Sequence, residues 1–169
     1  MSETPSTLAS DAIGESQGHC QAYPVADKIV FLDIDGVLIP YGQDSRKLYR
    51  PAAEAFQHLL NATDAMIVIS SSWRIGDMHR LWALFEAEGW DLRIIGWTPW
   101  SLDLMETNGL SRCRPKEIQA WLDDYAYQGR YLVIDDEVSV MKFPSVIPQH
   151  TRGLTMADAN HGIEILNAD

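Results

Sequence analysis

Basic residues are scarce in this sequence, with 13 Lys and Arg against 24 Asp and Glu and a net charge of −11. That deficit argues against a broad nucleic-acid-binding surface, which depends on cations that displace condensed counterions. Cysteine is rarer still. Cys20 and Cys113 do not make a disulfide framework. The histidines, at 19, 58, 79, 150 and 161, show no spacing with cysteine that suits zinc. No apolar run approaches the roughly 20 residues of a membrane span. The opening MSETPSTLASDAIGES lacks the basic start and apolar middle of a secretory signal. These absences predict a cytoplasmic protein, expected to be a monomer, with no membrane partner. An acidic chain can still hold a locally positive site for a small phosphorylated molecule or a nucleic-acid end.

The 169 residues suit one domain with a sizeable core. Residues 1–26 contain no Lys or Arg and no apolar periodicity, so a flexible N-terminal arm is expected there and a folded domain over 27–169. KIVFLDI is an apolar, β-branched run typical of a buried parallel strand. AMIVIS (65–70), LRIIG (92–96) and YLVID (131–135) repeat the pattern, and a short fifth strand is expected near Ser145–Ile147. Between them lie helical patterns. Pro51 opens one with Ala55, Phe56, Leu59 and Leu60 on one stripe. A second, from Asp77 to Glu88, presents Met78, Leu81, Trp82 and Phe85 and stops at Gly89. Pro115 starts a third with Ile118, Trp121, Leu122 and Tyr125 buried and Gly129 closing it. A last helix spans Ala157 to Leu166, with Thr155 as cap and Asp158 three residues on. WTPWSLDLMETNGLSRC is read as mostly loop. Alternating strands and helices predict an open parallel α/β sheet with helices on both faces, whose ligands bind at the carboxyl ends of the strands.

Those ends carry the chemistry. The first strand runs into Asp33-Ile34-Asp35-Gly36, the second into Ser70-Ser71-Ser72-Trp73-Arg74, and the fourth into Asp135-Asp136-Glu137. Each has a bland reading: a solvated Asp-Gly turn, a serine helix cap, an acidic loop. A calcium loop fits poorly, because Val37, Leu38 and Ile39 follow where further oxygen ligands would be needed. Arg112, Arg114 and Lys116 add a basic cluster before the third helix.

With these residues in view, FLDIDGVL resembles the first motif of the haloacid dehalogenase (HAD) superfamily. MIVIS resembles its second motif, Arg114 or Lys116 its third, and VIDD its fourth. The span from SSSWR through EIQAWL to VIDDE is similar to the small HAD domains associated with RNA repair proteins. The resemblance covers about Lys28 to Leu166. It implies a Rossmann-like HAD core and a phosphatase that forms an aspartyl-phosphate. Asp33 would be the nucleophile and Asp35 the general acid and base. Ser70, with Ser71 as the alternative, would hydrogen-bond the phosphoryl oxygens, and Arg114 or Lys116 would pair with their charge. Arg74 is either a further phosphate contact or a surface cation. Mg²⁺ would be held by Asp33, the backbone carbonyl of Asp35, and Asp136, with Asp135 acting through water or positioning the site.

The short spacings between motifs leave no room for a large cap. An open site suits a nucleotide, a nucleic-acid end phosphate or a small ester. Tyr41, Trp97 and Trp100 could stack on bases, although ordinary packing is the more usual fate of aromatics. Two rival readings are a receiver-like domain that only takes phosphate or metal, and a structural HAD-like domain. Asp35 speaks against the first, because a receiver needs no proton-transfer group two residues beyond its acceptor.

Overall fold

The computed structural model of the chain describes residues 26–100 and 113–168. The expected arm, apart from its last residue, lies outside the described residues. So do Cys20, Arg112 and most of the stretch expected to be loop after Trp97.

Five parallel strands form one sheet: β1 (Lys28–Leu32), β2 (Met66–Ile69), β3 (Ile94–Trp97), β4 (Arg130–Ile134) and β5 (Ser145–Val146). Their order is β3-β2-β1-β4-β5. Among the described residues four α-helices accompany them: α1 (Arg50–Thr63), α2 (Met78–Glu88), α3 (Arg114–Asp124) and α4 (Met156–Asn167). Side chains alternate across each strand and so feed two cores. Val30, Leu32, Ile67, Ile69, Leu132 and Ile134 pack under α1, α2 and α4. Ile29, Phe31, Val68 and Val133 pack against Ile118, Trp121 and Leu122 of α3. Both faces of β1 are therefore covered, as its uninterrupted apolar run requires.

The chain runs outward from β1 through β2 to β3, then returns to the other side of β1 for β4 and β5. This reversal opens a crevice at the carboxyl ends of β1 and β4, the place where ligands bind in such sheets.

Helix boundaries follow local chemistry. Pro stands in the first turn of α1 and of α3. Gly89 ends α2 in the left-handed conformation, with φ of 74°. At the start of α4, Asp158 N–H donates to Thr155 Oγ1 at 3.2 Å, and Thr155 N–H donates to Asp158 Oδ2 at 2.9 Å. That is a reciprocal capping box.

Three details differ from the sequence expectations. β3 begins at Ile94 rather than Leu92, because Asp91–Arg93 form a 3₁₀ turn that leaves Leu92 in solvent. Trp82 is exposed although Leu81 and Phe85 are buried. It lies about 100° around the helix from Leu81. α3 stops at Asp124, and Tyr125 is exposed. Ala126, with φ of 45°, takes the left-handed turn expected of a glycine. Gly129 serves a close approach instead, since a Cβ there would lie 2.8 Å from the Asp27 carbonyl oxygen. No helix among the described residues is long and apolar enough to cross a membrane.

Replacing the α4 cap, Thr155→Ala, is expected to lower stability by about 1 kcal/mol. Urea denaturation measures this, and an unchanged midpoint would show that α4 does not depend on its cap.

Candidate active site

Strand register places three polar residues side by side. Leu32 pairs with Ile69 on one side and Ile134 on the other. The next residue on each strand is therefore Asp33, Ser70 or Asp135. Backbone bonds carry the ladder that one step further: Ser70 N–H donates to Leu32 O at 2.9 Å, and Asp33 N–H donates to Ile134 O at 3.0 Å. All three residues are buried.

Arg114 enters from the first turn of α3 and touches all three. Its Nη1 lies 3.3 Å from Asp33 Oδ1, 3.3 Å from Asp135 Oδ2 and 3.4 Å from Ser70 Oγ. The contact with Asp135 Oδ2 is ionic and lacks hydrogen-bond alignment, so this buried oxygen has no hydrogen-bond partner. Burial works against the Arg114 charge. The flanking Asp33 and Asp135 carboxylates outweigh it and hold the guanidinium above its ordinary pKa.

Beyond Asp33 the chain folds tightly on itself. Ile34 O accepts N–H bonds from Val37, Leu38 and Ile39 at 3.2, 2.9 and 3.0 Å. Gly36 turns with φ of 76°, and a Cβ on it would fall 2.3 Å from Asp136 Oδ2. Glycine is thus required twice here, for the turn and for the space that Asp136 occupies. Asp35 is half-buried, and Trp73 Nε1–H donates to its Oδ2 at 2.9 Å. Desolvation raises the Asp35 pKa against the opposing Trp73 hydrogen bond, and the nearby Asp33 charge raises it further.

Asp33, Asp135 and Asp136 each offer an oxygen, all within 4.8 Å of one another. Burial pushes Asp136 up to about 6, with the Asp33 and Glu137 charges adding to it. Asp135 is also raised, chiefly by burial and against the pull of Arg114. Crowded carboxylates of this kind fit a hard divalent cation, which takes oxygen ligands and favours their ionised form. Asp35's carboxylate is not part of this group.

The remaining predicted residues separate. Ser71 Oγ accepts Trp73 N–H at 3.4 Å and caps the 3₁₀ turn Ser72–Ile75. Lys116 is exposed and does not line the cavity, unlike Arg114. Arg74 lines the cavity, held by Glu117 Oε2 at 2.7 Å from its Nη2 and by Ser71 O at 2.6 Å from its Nη1. Its Nε is buried without a partner, and desolvation lowers its pKa. Trp73 and Glu117 were missed in the sequence. The only available sign of Glu117 was its position three residues after Arg114, on the same helix face.

The described residues enclose about 150 Å³. Tyr41 and Trp100 stand beside Asp33, Asp35, Arg74, Arg114 and Asp136 in its lining, whereas Trp97 does not. The Tyr41 pKa is raised by Asp136 first, then by desolvation and the Asp35 and Asp33 charges.

A five-stranded parallel sheet with its acids gathered at the β1 and β4 ends is the frame of a HAD-like domain. A family model described as the HAD domain in Swiss Army Knife RNA repair proteins matches residues 29–159, and the chain belongs to that family. No curated protein and no solved structure matches it.

Gly36→Ala is expected to cost about 1–2 kcal/mol from the left-handed backbone alone. It should also displace the Asp136 carboxylate. Urea denaturation measures the first effect, and a stability equal to the parent would disprove it.

Proposed function

We propose that this domain is a Mg²⁺-dependent phosphatase that hydrolyses a phosphomonoester, such as a nucleotide or a nucleic-acid end phosphate, through an aspartyl-phosphate on Asp33. The observation that carries this reading is the single Arg114 nitrogen within 3.4 Å of Asp33, Ser70 and Asp135. A carboxylate and a hydroxyl flanking a fixed cation is what an attacking group and a phosphoryl cradle need. The family description, a domain of RNA repair proteins, supports a nucleic-acid end as substrate.

In the first step an Asp33 oxygen attacks phosphorus, and the bond to the ester oxygen breaks. Asp35 gives that oxygen its proton. Its raised pKa increases the protonated fraction available for the task. In the second step Asp35 takes a proton from water as the water attacks phosphorus, releasing inorganic phosphate and freeing Asp33. Arg114 and Ser70 orient the phosphoryl oxygens. Arg74, fixed by Glu117, adds positive charge to the same cavity. Asp33, Asp136 and the Asp35 carbonyl would hold Mg²⁺, with Asp135 behind them, and the ion would offset repulsion between Asp33 and the substrate dianion. The Trp73 bond keeps Asp35 beside the cavity, a placement with no purpose in a receiver-like domain.

Asp33→Asn should remain folded and lose essentially all phosphatase activity against a Mg²⁺-supported phosphomonoester assay. Wild-type turnover in that variant would remove the nucleophile role.

The raised Asp135 and Asp136 pKa values set a second expectation. In metal-free protein their contribution to stability is full below the ordinary aspartate value of about 4 and is lost as pH rises through about 6 and beyond. A cation binding the ionised carboxylates has the opposite dependence. Mg²⁺ should therefore raise the melting temperature more at pH 8 than at pH 5, and Asp136→Asn should abolish the difference. Equal Mg²⁺ shifts at both pH values would count against this carboxylate set.

A further inference from the structure

We propose that Tyr41 and Trp100 form a nucleobase-stacking rim on the phosphate cavity, so that the domain selects phosphate esters carried on a terminal nucleotide. This deepens the phosphatase reading and rests on it.

The cavity formed by the described residues, about 150 Å³, takes a phosphoryl group and its waters. It is well below the roughly 300 Å³ at which pockets begin to enclose a whole small ligand. Among the described residues, the rest of a larger substrate would therefore lie against the rim. The lining that these residues form offers little to hold a long polyanion electrostatically. Its two arginines, Arg74 and Arg114, are buried and already paired with Glu117, Asp33 and Asp135. The other charged groups lining the cavity are acidic. Recognition beyond the phosphate falls to uncharged surface, where Tyr41 and Trp100 stand with Ser72, Ile75 and Cys113.

Tyr41 is 58% exposed, so its ring is accessible to a partner at the cavity mouth. It is nevertheless fixed. Its N–H donates to His150 O at 2.9 Å, and its ring sits 5.2 Å from the His150 ring. Gly153 lets the His150 loop close on Pro40, since a Cβ there would lie 2.6 Å from the proline ring. Trp100 is half-buried, with the Arg74 guanidinium 5.9 Å from its ring centroid. That contact ties the aromatic rim to a cation inside the cavity. Held rings of this kind bind bases at little ordering cost, and stacking tolerates any base because each has a π-face.

The test compares short RNA oligonucleotides phosphorylated at the 3′ or 5′ end, with a base or an abasic sugar at the phosphorylated residue. Turnover by the wild type and equilibrium binding to Asp33→Asn are both measured. The base-bearing end should be preferred about tenfold in kcat/KM and in affinity. Tyr41→Ala and Trp100→Ala should bring the base-to-abasic ratio toward one, whereas Tyr41→Phe should keep it. Because the readout is a ratio within each variant, a partly unfolded preparation does not distort it. Equal handling of base-bearing and abasic ends by the wild type would overturn the proposal, as would a ratio unchanged in both alanine variants. If no phosphate ester is turned over, the phosphatase reading fails, and the binding ratio still decides the stacking rim.

Discussion

The buried Arg114 guanidinium is the constraint on which the rest depends. A cation removed from water needs partners at close range, and loss of one leaves an uncompensated charge. Here the partners come from the ends of three different strands. The sheet must keep its register for them to meet, and α3 must dock at one height for Arg114 to reach them. Docking is secured by Trp121 set edge-on to Phe31 of β1, with centroids 5.3 Å apart. The Glu117–Arg74 pair fastens the same helix to the turn after β2. Fold and site are thus held by one set of contacts.

The carboxylates divide according to what surrounds them. Asp35 has the Trp73 indole, Asp135 has Arg114 and the Glu137 N–H, and Asp136 fills the space beside Gly36. With Asp33, these are four like charges at strand ends, and they would repel one another in a chain that is already acidic. The structure surrounds them unequally, with Arg114 shared by Asp33 and Asp135 and the Trp73 indole given to Asp35. That difference lets chemically identical side chains carry different protonation tendencies.

Much of this was legible in the sequence. Uninterrupted apolar runs gave away the parallel strands, and Pro, Gly and Thr marked the helix ends. The acids could be placed because open parallel sheets bind at their strand termini. Arg114 and Lys116 could not be told apart, since they lie about 200° apart around a helix and its phase shifts with any one-residue change in its start. The Trp73–Asp35 and Arg74–Glu117 contacts were hidden for a related reason. Each joins segments distant along the chain, and no periodic pattern records which side chains will face each other. The exposure of Tyr125 and Trp82 was missed because aromatic character says nothing about the side of a helix edge on which a ring falls.

The strand order has a consequence for how the molecule comes into being. β1 leaves the ribosome first, yet it lies in the middle of the sheet, between β2 and β4. One of its edges must wait unpaired until β4 is synthesised, and Asp33 does not acquire Asp135 before then. Distant pairings of this kind form late and slow folding. A nascent or partly folded chain can therefore carry the complete FLDIDGVL segment without the assembled carboxylate group. The Asp33, Asp135 and Asp136 group is complete only when the second half of the sheet closes.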